Sequence, residues 1–189
     1  MSSLTTTDRL KELLPQLFNT QKLAGDYYLR FQLTNEVSGL IELKYVQESL
    51  TVQSDRITAV PNLPEYVVGL MSSQNQVFLA IDLAHLAGLP PETVNLRQYQ
   101  TIVVQVNSEK ADGSDNDVNL FGLTVKKIEG IARILPENFT SVTEKIPASL
   151  QPFVTSSVIN QESNSTVEAE AKQSVLIDVV RLIGDRVNS

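Results

Sequence analysis

Apolar residues early in the chain recur at helical spacing, and after Gly25 the pattern changes to a strand-like alternation that persists almost to the end. Leu10, Leu13, Leu14, Leu17 and Phe18 follow the i, i+3, i+4 rule that places them on one helix face, with Thr7 or Asp8 positioned to cap its start. Pro15 lacks a backbone donor and disfavours αR geometry at Leu14, so the spacing predicts a kinked helix or two short pieces. Residues 1–25 thus read as an N-terminal extension carrying an amphipathic helix, either a cover over the core or an arm that meets a partner.

Beyond it, β-branched content and period-two alternation predict strands at Tyr27 to Leu33, Leu40 to Lys44, Ser49 to Gln53, Val67 to Met71 and Gln76 to Ile81. Four more are predicted at Gln100 to Val106, Val118 to Lys127, Ile131 to Leu135 and Ser174 to Val179. Turn chemistry separates them at Asn35 to Gly39, Pro61 to Pro64, Asp112 to Asp117 and Gly130. Asp82 to Ala87 can form a short helix that Gly88 ends and that Pro90 and Pro91 cannot continue. The fold class is therefore all-β with short helices, and short strands at close spacing favour small barrels, because closure removes sheet edges. No internal repeat is visible. Residues 160–173 are polar and carry too little apolar surface to order themselves, which predicts a mobile hairpin tip.

With 42% hydrophobic residues in 189, the chain is long enough for one domain or two small, closely joined subdomains. Its formal net charge of -7 repels phosphate backbones and anionic lipid, so neither nucleic acid nor a membrane is an expected partner. No apolar run approaches the roughly 18 residues of a membrane span, and a cytoplasmic location is expected, with no direct membrane insertion. The absence of cysteine excludes disulfides, thiolate catalysis and zinc-thiolate or iron-sulfur sites.

Catalysis finds little support. The single histidine, His85, lies on the short helix after Asp82, where the carboxylate already serves as the helix cap and a surface position is expected for the imidazole. Asp112, Asp115 and Asp117 share one loop, but the order of ligands and the distant bidentate Glu of a calcium loop are missing. Glycine-rich phosphate cradles and nucleophile elbows are also missing, so no metal, no cofactor and no enzymatic activity are expected. Lys126, Lys127 and Arg133 form the densest basic patch, without the aromatic ladder that stacks bases. Composition and motifs alone lead to a binding module that offers apolar clefts and strand edges to proteins.

The segment Val60-Pro61-Asn62-Leu63-Pro64-Glu65-Tyr66-Val67-Val68-Gly69-Leu70-Met71, continued through Val77-Phe78-Leu79-Ala80-Ile81-Asp82-Leu83, resembles the central signature of CheW-like chemotaxis adaptors. There a Val-Pro-x-x-Pro turn leads to a glycine, a short loop and an apolar strand ending in Asp-Leu. Prolines fix the turn, Gly69 permits close strand approach and Asp82 caps the following helix. Upstream, Tyr27 to Leu33 followed by Gly39 to Glu48 is similar to the family's first hairpin. Phe121-Gly122-Leu123-Thr124-Val125-Lys126-Lys127-Ile128 and Val175-Leu176-Ile177-Asp178 are similar to two later strands, so the resemblance extends from about Gly25 to Gly184.

The resemblance implies one CheW-like domain over residues 26–185, built as two five-stranded β-barrel subdomains sharing a core. It implies an adaptor that couples a methyl-accepting chemoreceptor-like protein to the regulatory domain of a CheA-type histidine kinase. By position, Val46, Leu50 and the loop Ser72-Ser73-Gln74-Asn75 would line the receptor groove, with Pro61, Asn62 and Pro64 shaping its wall. A packed core would also use Val46, Leu50 and Val77. The family usually carries Asn-x-Arg-Gly where this chain has Ser72 to Asn75, so a forked cationic donor is replaced by the neutral amide of Gln74. That departure suggests a divergent paralogue serving phototaxis or pilus motility. The competing expectation is a β-barrel enzyme or small-ligand binder with a pocket between the subdomains, which would need His85 or a carboxylate cluster facing a cleft.

Overall fold

The computed structural model describes residues 25–91, 96–108, 117–141, 146–159 and 173–187. The predicted N-terminal helix, most of the Asp112 to Asp117 turn and most of the 160–173 segment lie outside them. The chain runs through β1 (Asp26–Gln32), β2 (Ser38–Glu42), β3 (Val46–Gln53), β4 (Val67–Ser73), β5 (Gln76–Asp82) and a short helix α1 (Leu83–Leu86). It continues through β6 (Gln98–Ser108), β7 (Asp117–Val125), β8 (Lys127–Ile134), β9 (Val154–Ile159), β10 (Gln173–Ile177) and α2 (Val179–Val187).

Two five-stranded sheets result, ordered β8-β1-β2-β10-β9 (sheet A) and β3-β6-β7-β5-β4 (sheet B). Strand by strand, the two orders carry the same directions: antiparallel, antiparallel, parallel, antiparallel. The chain is thus a topological duplication in which β1 to α1 corresponds to β6 to α2. In each half the chain changes sheets after its second strand, so sheet A combines β1 and β2 with β8, β9 and β10, and sheet B combines β6 and β7 with β3, β4 and β5. That exchange locks the sheets together, since each is built from two strands of one half and three of the other.

The correspondence reaches single residues. Irregular registers fall at matching rungs, between Val46 and Glu48 on β3 and opposite Arg30 and Phe31 on β8. Each sheet curls until the chain beyond β3 or β8 meets the opposite edge through one isolated bridge, Thr58 to Leu70 in sheet B and Thr140 to Ser157 in sheet A. Backbone bonds of 2.8 to 3.0 Å make both closures. Gly69 sits beside the first. A Cβ there would lie 2.5 Å from the Thr58 carbonyl oxygen, so the approach expected of this glycine is realised where the barrel closes.

Apolar burial follows the same plan. Val52, Met71, Phe78, Ala80 and Val103 fill barrel B, while Tyr28, Leu40, Ile134 and Val158 fill barrel A. Alternate residues of the same strands face the other way: Leu29, Phe31 and Ile41 from sheet A meet Ile81, Ile102, Val104 and Leu123 from sheet B in a larger shared core. Leu182 and Ile183 of α2 and Leu83 and Leu86 of α1 complete it. Both faces of these strands are therefore buried, and the fold is the expected pair of barrels around a common core.

Three local expectations need correction. Gly130 lies inside β8 rather than at a turn; its φ of +121° belongs to the irregular register facing Arg30 and Phe31, which lets β8 begin at Lys127. β9 is a strand that alternation did not mark, because Ser156 and Ser157 occupy its middle and Ser157 is fully buried, its hydroxyl 3.2 Å from that of Thr140. His85, expected at the surface, is half-buried.

Candidate functional site

The hairpin between β4 and β5 turns through Gln74 and Asn75, with Ser73 opposite Gln76. Both turn residues have positive φ, 48° and 63°, the backbone of a two-residue type I′ turn, which matches strand twist. Asn tolerates this conformation; Gln does so less readily. The Gln74 side chain is held: its Nε2 donates to Oε2 of Glu48 at 3.2 Å, spanning from the tip to β3.

Glu48 reaches that position because of the irregular register before it. Val46 faces Val104, whereas Glu48 faces the adjacent Val103, so β3 swings its side chains by one residue at Gln47. Val46 then packs against the shared core, while Leu50 packs against the interior of barrel B. Glu48, two residues before Leu50, is on the interior face at the barrel mouth, beneath the hairpin tip. The two apolar residues expected to line one groove are both half-buried, and each belongs to a different core.

Gln74, Asn75 and Ser72 are exposed and Ser73 is half-buried. Ser72 pairs with Val77, which is 69% exposed and so belongs to the rim of the sheet rather than to either core. One step further down the same face, Leu70 pairs with Leu79, which packs against the shared core. An apolar surface thus continues from the core to an open rim beside the tip.

Pro61, Asn62 and Pro64 stand elsewhere. All three are exposed in the connection to β4, where Asn62 has φ of +62° and Val67 N–H donates to the Pro64 carbonyl at 2.9 Å. The Tyr66 hydroxyl donates to the Arg186 carbonyl at 2.9 Å, which ties this connection to the end of α2. β4 then runs seven residues to Ser73, about 20 Å at ~3.3 Å per residue. The structure therefore separates the proline turn from the tip by the length of the barrel.

Asp82 stands at the proline-turn end of β5. Its Oδ1 accepts from the His85 N–H at 3.0 Å, capping α1, and its own N–H donates to the Tyr66 carbonyl at 2.8 Å. Asp178 repeats both features: Oδ1 accepts from Arg181 N–H at 3.0 Å, and its N–H donates to the Phe153 carbonyl at 2.8 Å. A carboxylate at a helix start needs no catalytic explanation. Among the described residues no group of three or more His, Asp or Glu side chains could hold a metal ion.

Lys44, at the turn from β2 into β3, ion-pairs with Glu42 and lies 4.8 Å from the Tyr45 ring centre. The Glu42 hydrogen bond keeps its ammonium group charged to higher pH than an ordinary lysine. Sequence reading missed Glu48 as the partner of Gln74, and it left Val77 open between the groove and a packed core, whereas the structure exposes it at the rim. Glu48 is 26 residues from Gln74, and only barrel closure brings them together.

The arrangement offers a polar tip, an apolar rim and strand edges, with no assembly of acid, base and nucleophile among the described residues. Comparison with known proteins agrees with a binding role. The family model described as "CheW-like domain" matches residues 27–186, and no curated protein sequence matches the chain. Among solved structures, the scaffolding protein TtCheW from Thermoanaerobacter tengcongensis is similar in fold, with a TM-score of 0.59 and 17% identity, covering 84% of this chain and 92% of that one.

Proposed function

The chain belongs to the CheW-like domain family, and on that premise we propose that it is a non-catalytic adaptor coupling a chemoreceptor-like sensor to a CheA-type histidine kinase. The observation that carries the reading is a family match running unbroken from β1 to the end of α2, across both barrels. Members of this family are scaffolds in chemotaxis signalling, and both halves of the scaffold are present here.

The receptor side is assigned to the β4–β5 tip with the Val77 rim, where Ser72, Ser73, Gln74 and Asn75 supply polar contacts, with Leu50 behind them on the barrel B side of β3 and Val46 on the shared-core side. The wall formed by Pro61, Asn62 and Pro64 lies at the far end of the barrel and acts as a separate surface. The kinase regulatory domain pairs with exposed strand ends, since edge pairing needs only unpaired backbone groups. No helix among the described residues is long and apolar enough to cross a membrane, which suits an adaptor working in the cytoplasm. The neutral Gln74 in place of the family's usual arginine marks a receptor contact of altered chemistry, as in a paralogue dedicated to phototaxis or pilus motility.

Binding of the purified chain to the regulatory domains of the CheA-type kinases encoded in the same genome tests this reading. Saturable association with at least one is expected. Failure to bind every one of them overturns it.

A further inference from the structure

One rung of the β1–β8 ladder is lopsided. Leu29 and Ile131 face each other, yet Leu29 is 4% exposed and Ile131 63%. Tyr27, on the same face of β1 and diagonal to Ile131, is 53% exposed. Leu43, one residue past the partner of Tyr28, is half-buried at the margin of the shared core. The outer face of sheet A therefore carries apolar surface past the point where the described residues cover it, on the edge strand β8. Large apolar side chains exposed together at an edge call for a cover.

The chain itself delivers one to this place. Gly25 leads into β1 directly beside the end of β8, so close that a Cβ on it would lie 2.9 Å from the Ile134 carbonyl oxygen. The point at which residues 1–24 join the described chain thus lies next to the patch. Their sequence presents Leu10, Leu13, Leu14, Leu17 and Phe18 as a single apolar stripe at helical spacing. Six residues separate Phe18 from Gly25, a reach of about 20 Å when extended. Ile131 is three residues from Ile134 along β8, about 10 Å. The tether is long enough, and short enough to hold the stripe near the patch at high effective concentration.

We propose that residues 1–24 fold back on the same chain and seat their leucine and phenylalanine stripe on Tyr27 and Ile131, covering the β8 margin of sheet A. Tyr27 and Ile131 are exposed apolar side chains, and the stripe is joined to them by a single tether of sufficient length. Any partner that displaced the segment would expose the β8 margin.

The chain has no tryptophan and no cysteine, which supplies clean reporters. In the full chain carrying Ile131→Trp, the single tryptophan is expected to emit at shorter wavelength and resist acrylamide quenching at every protein concentration. Adding Leu13→Asp and Leu17→Asp should shift it to the red and raise its quenching constant several-fold. Identical spectra with and without the Asp substitutions overturn the proposal, and shielding that disappears on dilution overturns it in favour of a second copy as the cover. Should Ile131→Trp disturb the fold, oxidation of a Leu17→Cys, Ile131→Cys pair replaces it, with Leu17→Cys, Thr51→Cys as control. An intramolecular disulfide in the first pair only is expected; equal yields contradict the docking. The result is independent of the adaptor reading, because it is read in the absence of kinase and receptor.

Discussion

The side-chain amide of Gln74 donates to the carboxylate of Glu48 at 3.2 Å, joining the β4–β5 tip to β3 across the mouth of barrel B. The pair involves an exposed turn residue and a half-buried strand residue, so it fixes the tip without being part of a core. Gln74→Arg would place a forked, permanently charged donor against the same carboxylate. Its effect on unfolding free energy is expected to stay below about 1 kcal/mol, as for other exposed ion pairs. Chemical denaturation of the two proteins checks this; a loss of several kcal/mol would mean that the tip is packed.

Val77 separates a binding role from a structural one. At 69% exposure it contributes little to either core, so Val77→Asp should alter stability by no more than about 0.5 kcal/mol. Receptor association should weaken markedly in the same variant, measured with a receptor signalling tip. Unchanged association would remove the rim from the interface.

Two glycines should respond to alanine with opposite signs. At Gly69 the added methyl would meet the Thr58 carbonyl oxygen at 2.5 Å and Ile57 Cγ2 at 2.9 Å, at the closure of barrel B. A cost of about 1–3 kcal/mol is expected from the forced backbone shift. At Gly184, within α2, nothing lies within 4 Å of the new methyl, and helix propensity should raise stability by about 0.5–1 kcal/mol. Thermal or denaturant midpoints decide both signs.

The matching caps should differ in magnitude. Asp178→Ala removes the acceptor for Arg181 N–H at a half-buried position and should cost about 1 kcal/mol. Asp82 is 4% exposed, so Asp82→Ala leaves the His85 N–H less able to turn to water and should cost more. Asp82→Asn retains a capping oxygen and should recover much of the loss. Equal unfolding free energies for the two alanine variants would show that burial of Asp82 does not matter.

Alternation and turn chemistry were enough to read nine of the strands and the short helix that Asp82 caps, because those depend on local periodicity and on one carboxylate. β9 escaped because its middle is serine, and its burial is made possible by a hydroxyl partner on Thr140 that no local pattern reveals. The duplication was hidden for a related reason. Equivalent rungs hold Arg30 and Val103, or Gly130 and Glu48, and only exceptions such as Asp82 with Asp178 and Thr58 with Thr140 keep the same residue. Of the candidate site, the turn at Gln74 and Asn75 was legible from residue type. The opposite placements of Val46 and Leu50 were not, since they follow from one irregular rung of β3.

The central claim is coupling, and it is tested most directly by reconstitution of receptor-bearing membranes with the cognate CheA-type kinase. The account predicts that adding the purified chain changes the rate of kinase autophosphorylation and makes it respond to the receptor's stimulus. A kinase that behaves identically with and without the chain, in the presence of functional receptor, would contradict it.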